Sequence, residues 1–324
     1  MPGRPLNTAH PEGRVPTADT AVTRVQLEVT GSVGLDGELH IGATVALPPD
    51  RHEGPLLFCI PGGTYTREYY HPTETDLTDY SFLAALAARG FAVAAIDILG
   101  VGSSSKPADG MEITLETAAA ANAAALGCLL DRLPRGTLPG LAKFDPTAIL
   151  GVGHSLGGML VIAQQALTPF AGVAVLGWSN QRIERHGAVM TPLADLVGED
   201  GYVSIPRGGR RALFHLSDVP DAVIVEDETK MVAPVPGPLY ETTLTPGVVK
   251  NRAAAIAVPV LLVFGELDTS PDPVAEVGTY PGSPDVTLFE MAGSAHCHNF
   301  AGSRAVLWDR LAGWARTAAD AAAL

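Results

Sequence analysis

Short apolar runs bounded by Gly, Pro and Asp alternate along most of the chain with longer segments of helical character. The runs predict eight strands, at residues 25–33, 40–47, 55–60, 91–98, 147–153, 172–177, 258–264 and 285–289. Helices are predicted at 80–89, 114–133, 156–167 and 303–318. Strands that alternate with helices predict an α/β fold with a mostly parallel sheet and helices on both faces. The first two strands, joined by a glycine turn at 34–37, predict an antiparallel hairpin at one edge.

This alternation stops between residues 180 and 255, where apolar stretches are mixed with many Pro and Gly residues. A compact domain rarely contains so long a loop without structure of its own. We therefore predict an inserted, mainly helical cap over residues 180–255. Residues 21–179 and 256–324 are expected to form the core domain, and residues 1–20 a flexible N-terminal arm.

Composition and charge restrict the possible partners. The 324 residues carry a formal net charge of −14, which disfavours nucleic acid and an anionic membrane surface as partners. The three cysteines are scattered without a C-x-x-C spacing, so neither a disulfide framework nor a zinc site is expected. The sequence shows no signal-peptide pattern and no apolar run long enough to span a membrane, which favours a cytoplasmic protein.

The nucleophile candidate is Ser155, the centre of Gly-His-Ser-Leu-Gly at residues 153–157. This G-x-S-x-G pattern follows a predicted strand and begins a predicted helix, which is the context that a nucleophile elbow requires. The glycines permit a tight strand-to-helix turn. At the start of the helix, the backbone N–H of Leu156 is expected to be available for a developing oxyanion.

A serine hydroxyl needs a base, and the candidates are His296 and His298 in the loop before the last helix. We favour His296 because the Gly293-Ser294 turn directly precedes it, and we expect a structural role for His298. A His-x-His pair can also bind a metal, but no further ligand pattern follows it. We therefore expect neither a metal nor an organic cofactor.

The acid that orients the histidine is expected just after a strand, at the functional edge of a parallel sheet. Asp268 follows the strand predicted at 258–264 and is our choice, with Glu266 and Asp272 as alternatives. The second oxyanion donor is expected from the glycine loop that follows an early strand. We assign it to the backbone N–H of Gly63, with Thr64 as the alternative.

Together these motifs resemble the α/β-hydrolase superfamily, in its serine esterase and lipase-like branch. The resemblance rests on five motifs in order, namely Pro61-Gly62-Gly63, Asp97 with Gly100 and Gly102, Gly153–Gly157, Gly265–Asp268 and Gly293–His296. One departure is Pro61, where many members have histidine. The resemblance implies an eight-stranded α/β-hydrolase sheet. It also disfavours two activities of the family, those of the epoxide hydrolases and haloalkane dehalogenases, because these enzymes have an aspartate at the position of Ser155.

The expected function is that of a serine hydrolase that cleaves an ester, lactone or thioester of a small, largely apolar substrate through an acyl-enzyme. Fold alone does not choose the reaction. The alternatives are a carbon–carbon bond hydrolase or an acyltransferase that uses the same triad, and a non-catalytic ligand-binding protein. A small-molecule acyl substrate is the expected partner, and a homo-oligomer is possible.

Overall fold

The computed structural model describes residues 22–73, 75–184, 186, 191–205 and 211–323. The arm predicted for residues 1–20 lies outside these ranges. Within them, no helix combines the length and the apolar character needed to cross a lipid bilayer.

An eight-stranded sheet forms the centre of the molecule. Its strands are β1 (Val22–Glu28), β2 (His40–Ala46), β3 (Glu53–Ile60), β4 (Ala92–Ile96), β5 (Asp145–His154), β6 (Gly172–Leu176), β9 (Val260–Gly265) and β10 (Val286–Met291). They are arranged in the order β1-β2-β4-β3-β5-β6-β9-β10. β2 pairs antiparallel with β1 and with β4, and all other neighbours are parallel. This confirms the predicted mostly parallel sheet with its antiparallel edge.

Helices cover both faces of the sheet, as predicted. The core helices are α1 (Phe82–Ala88), α2 (Leu115–Arg132), α3 (Leu156–Gln164), α8 (Pro273–Val277) and α9 (Arg304–Ala322). The apolar sides of α2 and α3 join one buried cluster with side chains from one face of the sheet. Those of α1 and α9 join a second cluster on the opposite face. Strands that are apolar on both sides, such as β4, are buried between the two clusters.

The first strand is shorter than predicted. It ends at Glu28 rather than at residue 33, because the chain turns away before β2. Gly31, Gly34 and Gly37 all adopt positive φ angles, of 74°, 71° and 91°. Only glycine adopts such angles without strain, so this segment forms a turn-rich loop instead of a longer hairpin.

Between β6 and β9, the described residues contain α4 (Arg211–Phe214), α5 (Asp221–Lys230), α6 (Gly237–Leu244) and α7 (Lys250–Ala254). They also contain a two-stranded ribbon of β7 (Tyr202–Val203) and β8 (Val235–Pro236). The ribbon adds strand structure to a segment that was predicted to be mainly helical. The boundaries of a separate cap at residues 180 and 255 stay a prediction.

Backbone hydrogen bonds tie this segment to two loops of the core. Thr66 N–H donates to the Met231 carbonyl at 2.8 Å, and Ala233 N–H donates to the Thr64 carbonyl at 2.9 Å. On the other side, His296 N–H donates to the carbonyl of Leu213 at 3.1 Å. The segment therefore contacts both the glycine loop after β3 and the histidine loop after β10.

Candidate active site

Ser155 lies at a sharp turn between β5 and α3. Its φ and ψ angles are 54° and −121°, a strained conformation for a residue with a side chain. The flanking glycines are required sterically. A Cβ atom on Gly153 would collide with the carbonyl of Gly157, and one on Gly157 would collide with the carbonyl of Ile60. The turn therefore has the strand, turn and helix arrangement that the sequence predicted.

His296 and Asp268 form a buried hydrogen-bonded pair. The Nδ1 atom of His296 lies 2.7 Å from Oδ1 of Asp268, and the two residues are only 5% and 3% exposed. A carboxylate can only accept, so Nδ1 carries the proton and Nε2 is the unprotonated nitrogen of the neutral ring. Gly177 packs against the pair, because a Cβ atom there would lie 3.0 Å from the imidazole.

Asp268 is held by its own turn at the end of β9. Oδ2 accepts from Gly265 N–H at 2.8 Å, and Oδ1 accepts from Thr269 N–H at 2.7 Å. The alternative acids have other partners. Glu266 accepts from the N–H of Gly293, and Asp272 caps α8 by accepting from Ala275 N–H. Of the three carboxylates weighed from the sequence, Asp268 is the one that contacts His296.

His298 contacts the same carboxylate from the other side. Its Nε2 atom lies 2.7 Å from Oδ2 of Asp268, and its ring is buried. Burial alone would raise the pKa of Asp268. The two imidazoles and their hydrogen bonds outweigh that effect and hold this pKa well below its usual range. The two imidazoles therefore favour the ionised form of the Asp268 carboxyl.

Ser155 and His296 line one cavity of about 130 Å³ under the segment between β6 and β9. Most of the other side chains around it are apolar or aromatic, including Leu156, Trp178, Ile183, Ile205, Leu213, Phe214, Val235 and Tyr240. The polar side chains that reach it, besides Ser155 and His296, include Thr64, His154, Glu184, Thr243 and Thr269. The cavity therefore combines a largely apolar wall with the Ser155 hydroxyl, the His296 imidazole and one carboxylate, that of Glu184.

The glycine loop after β3 passes directly over the serine. A Cβ atom on Gly62 would lie 3.2 Å from Cβ of Ser155, and Gly63 packs against Leu156. Within the described chain, the backbone N–H groups of Gly63 and Leu156 have no protein acceptor. Thr64 follows with φ at 66°, so the backbone changes direction there. The two N–H groups favoured from the sequence therefore lie close to the serine.

The sequence also matches the model of a known protein family. The model of the alpha/beta hydrolase family matches residues 57–307, most of the chain. This chain belongs to the alpha/beta hydrolase family. A search of curated proteins finds no match.

Solved structures of hydrolases share the fold. A thermophilic esterase from Thermogutta terrifontis matches with a TM-score of 0.62 and 16% identity, over 91% of this chain and 99% of that one. A lipase in its open form matches with a TM-score of 0.61 and 18% identity, over 92% and 99%. An E-2-(acetamidomethylene)succinate hydrolase matches with a TM-score of 0.54 and 18% identity, over 90% and 99%. At these identities the likeness concerns the fold.

His154, the residue before the serine, was not singled out from the sequence. It is fully buried, its ring stacks on Tyr69 at 4.4 Å between centroids, and its Nε2 atom lies 2.7 Å from the backbone carbonyl of His296. Burial and the neighbouring imidazoles of His296 and His298 lower its pKa well below the usual value. In this alpha/beta hydrolase, His154 is therefore a neutral ring whose Nε2–H supports the histidine loop.

A buried ion pair anchors the glycine loop and was also missed. The Arg67 guanidinium pairs with Asp97, whose Oδ1 accepts from Arg67 N–H at 2.7 Å. Asp97 also accepts from Ser103 N–H at 2.8 Å. The Asp97 motif therefore connects the loop after β4 to the loop after β3. The glycines around it were the only signal in the sequence, and they did not identify Arg67 as the partner.

Proposed function

We propose that this protein is a serine hydrolase that cleaves a carboxylic ester-type bond through an acyl-enzyme. One observation carries the proposal. Ser155, at a strained strand-to-helix turn, lines the same cavity as His296, whose Nδ1 atom is hydrogen-bonded to the buried Asp268 carboxylate at 2.7 Å. An imidazole that a carboxylate orients in this way activates a weak hydroxyl nucleophile once its Nε2 comes within hydrogen-bond reach of that hydroxyl.

In the proposed reaction, the hydroxyl oxygen of Ser155 attacks the acyl carbonyl while Nε2 of His296 takes its proton. Asp268 keeps the proton of the neutral ring on Nδ1 and stabilises the imidazolium that forms. The N–H groups of Gly63 and Leu156 donate to the oxyanion. The imidazolium then protonates the leaving alcohol as the oxyanion collapses and the ester C–O bond breaks, which leaves the acyl group on the Ser155 oxygen. Water activated by the same imidazole hydrolyses the acyl-enzyme in a second, equivalent cycle.

The cavity supports a small, largely apolar acyl or alcohol group. Its volume of about 130 Å³ and its aromatic and aliphatic walls match such a group better than a polymer or a strongly charged chain. Ester, lactone and thioester substrates all present the same carbonyl to Ser155, so the site alone does not distinguish them.

A carbon–carbon bond hydrolase is the second candidate, because the same triad can act on a β-dicarbonyl substrate. The fold is shared with E-2-(acetamidomethylene)succinate hydrolase, whose named substrate carries an amide and no ester, so a reaction other than ester cleavage is kept beside the first candidate. Carbon–carbon cleavage differs from ester cleavage in its products, because a carbanion equivalent rather than an alkoxide leaves the tetrahedral carbon.

The test is hydrolysis of p-nitrophenyl esters of increasing acyl length, with wild type beside Ser155→Ala and β-diketones as a parallel panel. We expect wild type to turn over the shorter esters and Ser155→Ala to be near background. Activity on diketones alone would favour carbon–carbon cleavage. Equal activity of the two proteins would contradict the assignment of Ser155.

We also propose a cytoplasmic location. Cys59, Cys128 and Cys297 form no disulfide within the described part of the chain, which is usual in a reducing compartment. Fractionation of cells that produce the protein would test this, and its recovery outside the cytoplasmic fraction would contradict it.

A further inference from the structure

Three potential metal ligands meet behind the histidine loop. His215, Asp227 and Cys297 each offer a donor atom, and these atoms all lie within 4.8 Å of one another. All three residues are buried, with exposed fractions of 5%, 1% and 1%. Exposed acidic clusters are common without a metal, but this group is buried and combines three different donor types.

The ligands come from three segments that are distant in the sequence. His215 follows α4, Asp227 lies in α5, and Cys297 directly follows His296. The backbone already fixes their approach, because Cys297 N–H donates to the carbonyl of Phe214 at 2.9 Å. A donor set is therefore assembled where the inserted segment meets the histidine loop.

Protein contacts leave two polar atoms of the cluster without partners. Nε2 of His215 lies 2.8 Å from Oδ2 of Asp227, but Nδ1 of the same ring and Oδ1 of the same carboxylate are buried with no hydrogen bond among the described residues. Buried polar atoms are normally satisfied, so each exception calls for an explanation. An ion bound between the two side chains would replace the hydrogen bond from Nε2 to Oδ2 and would give Oδ1 a partner.

The chemistry of the donors selects the ion. Imidazole nitrogen, carboxylate oxygen and thiolate sulfur are the three ligand types that Zn²⁺ accepts. A structural zinc site takes four ligands, so a water molecule would complete the three protein donors. The hydroxyl of Tyr65, a residue that also lines the cavity of Ser155, contacts the Cys297 sulfur at 3.1 Å. One thiolate and one carboxylate would balance the charge of Zn²⁺, which favours binding in a buried position.

We propose that His215, Asp227 and Cys297 bind one zinc ion. Zinc enters as Zn²⁺ without change of oxidation state, the thiol of Cys297 loses its proton to solvent, and the imidazole binds as the neutral ring. The ion joins α5 and the end of α4 to the histidine loop. His215, Asp227 and Cys297 themselves lie outside the residues that line the cavity of Ser155, so the role of the ion is structural. This site is independent of the proposed hydrolase reaction.

The test is binding of the metal alone to the full chain after removal of metals with a chelator. Zn²⁺ is titrated in competition with a chromophoric chelator, and Co²⁺ is then used as a spectroscopic substitute. We expect one equivalent of Zn²⁺ with a Kd in the micromolar range or tighter, a raised Tm, and a sulfur-to-cobalt charge-transfer band. Binding only as weak as that of the double variant His215→Ala/Cys297→Ala would overturn the proposal.

Variants separate the cluster from unspecific binding. Cys297→Ala should abolish the charge-transfer band and weaken Zn²⁺ binding at least 100-fold, and Asp227→Asn should weaken it without removing the thiol. Cys128→Ser is the matched control, since Cys128 is half-buried in α2, away from the cluster, and should leave the band unchanged. Near-ultraviolet circular dichroism checks that each variant is folded. Persistence of the band in Cys297→Ala, or its loss in Cys128→Ser, would contradict the site.

Discussion

Replacement of Asp268 by asparagine tests how the buried carboxylate sets the chemistry of His296. Each carboxylate oxygen accepts from one imidazole and one backbone N–H. Oδ1 takes His296 and Thr269, and Oδ2 takes His298 and Gly265. An asparagine has one acceptor oxygen, so in either orientation its NH₂ group faces a backbone N–H and an imidazole. One of the two histidines must then change its tautomer or lose its hydrogen bond.

The magnitude follows from this geometry. When the NH₂ group faces His296, the ring must accept at Nδ1, and its Nε2 becomes protonated and useless as a base. When the NH₂ group faces His298 instead, His296 keeps its tautomer but loses the negative charge that stabilises its imidazolium. Loss of the correct tautomer in a serine triad costs about 10⁴-fold in kcat, or about 5 kcal/mol of transition-state stabilisation. The backbone N–H left without an acceptor adds a loss of stability of about 1–3 kcal/mol. We therefore expect Asp268→Asn to be folded, less stable and nearly inactive.

The assay is kcat/KM on the best p-nitrophenyl ester, with urea unfolding of the same preparations. Glu266→Gln is the matched control, because Glu266 is an exposed carboxylate in the same turn that contacts neither histidine. We expect the control to keep wild-type activity within about threefold, as surface changes of this kind cost little. An Asp268→Asn variant that kept more than a tenth of wild-type kcat/KM would refute the reasoning.

Two further predictions concern stability and specificity. Burial lowers the pKa of His154 in the folded protein. Below about pH 6.5 the unfolded chain therefore takes up a proton at this histidine while the folded chain does not, so the free energy of unfolding falls as the pH falls. His154→Gln, which retains an N–H donor, should flatten this slope by up to about 1.4 kcal/mol per pH unit in urea unfolding between pH 7 and 5, and an unchanged slope would contradict a neutral His154. Ile205→Ala enlarges the cavity wall and should raise the kcat/KM ratio of longer to shorter acyl esters about tenfold, whereas an unchanged ratio would place the acyl group elsewhere.

The sheet and the positions of the candidate residues were predictable because each depends on local signals. Continuous apolar runs such as β4 report burial on both faces, and Ser155 and Asp268 each follow a strand end directly. Parallel strands bring those ends to one edge, so residues distant in the sequence could be placed together. The predicted end of β1 at residue 33 was wrong. The apolar pattern continues past Glu28 into a loop, and the positive φ angles of the glycines in that loop turn the chain away from the sheet.

The contacts made by side chains from separate segments were not predictable. His154 occupies a variable position of the G-x-S-x-G pattern, and its role depends on stacking with Tyr69 and on the carbonyl of His296. For the segment between β6 and β9, the sequence predicted a mainly helical character but no individual helices. α4 has only four residues and α7 only five, which is too short for a helical period to appear in the sequence.

The central claim is that His296 activates Ser155 as a nucleophile, and covalent labelling tests it most directly. A fluorophosphonate probe forms a bond from phosphorus to the serine oxygen with loss of fluoride, without any need to know the natural substrate. Intact mass and peptide mapping should show one label per chain, on Ser155, with labelling slowed at least 100-fold in His296→Ala and absent from heat-denatured protein. Labelling of another residue, or equal labelling rates in wild type and His296→Ala, would contradict the account.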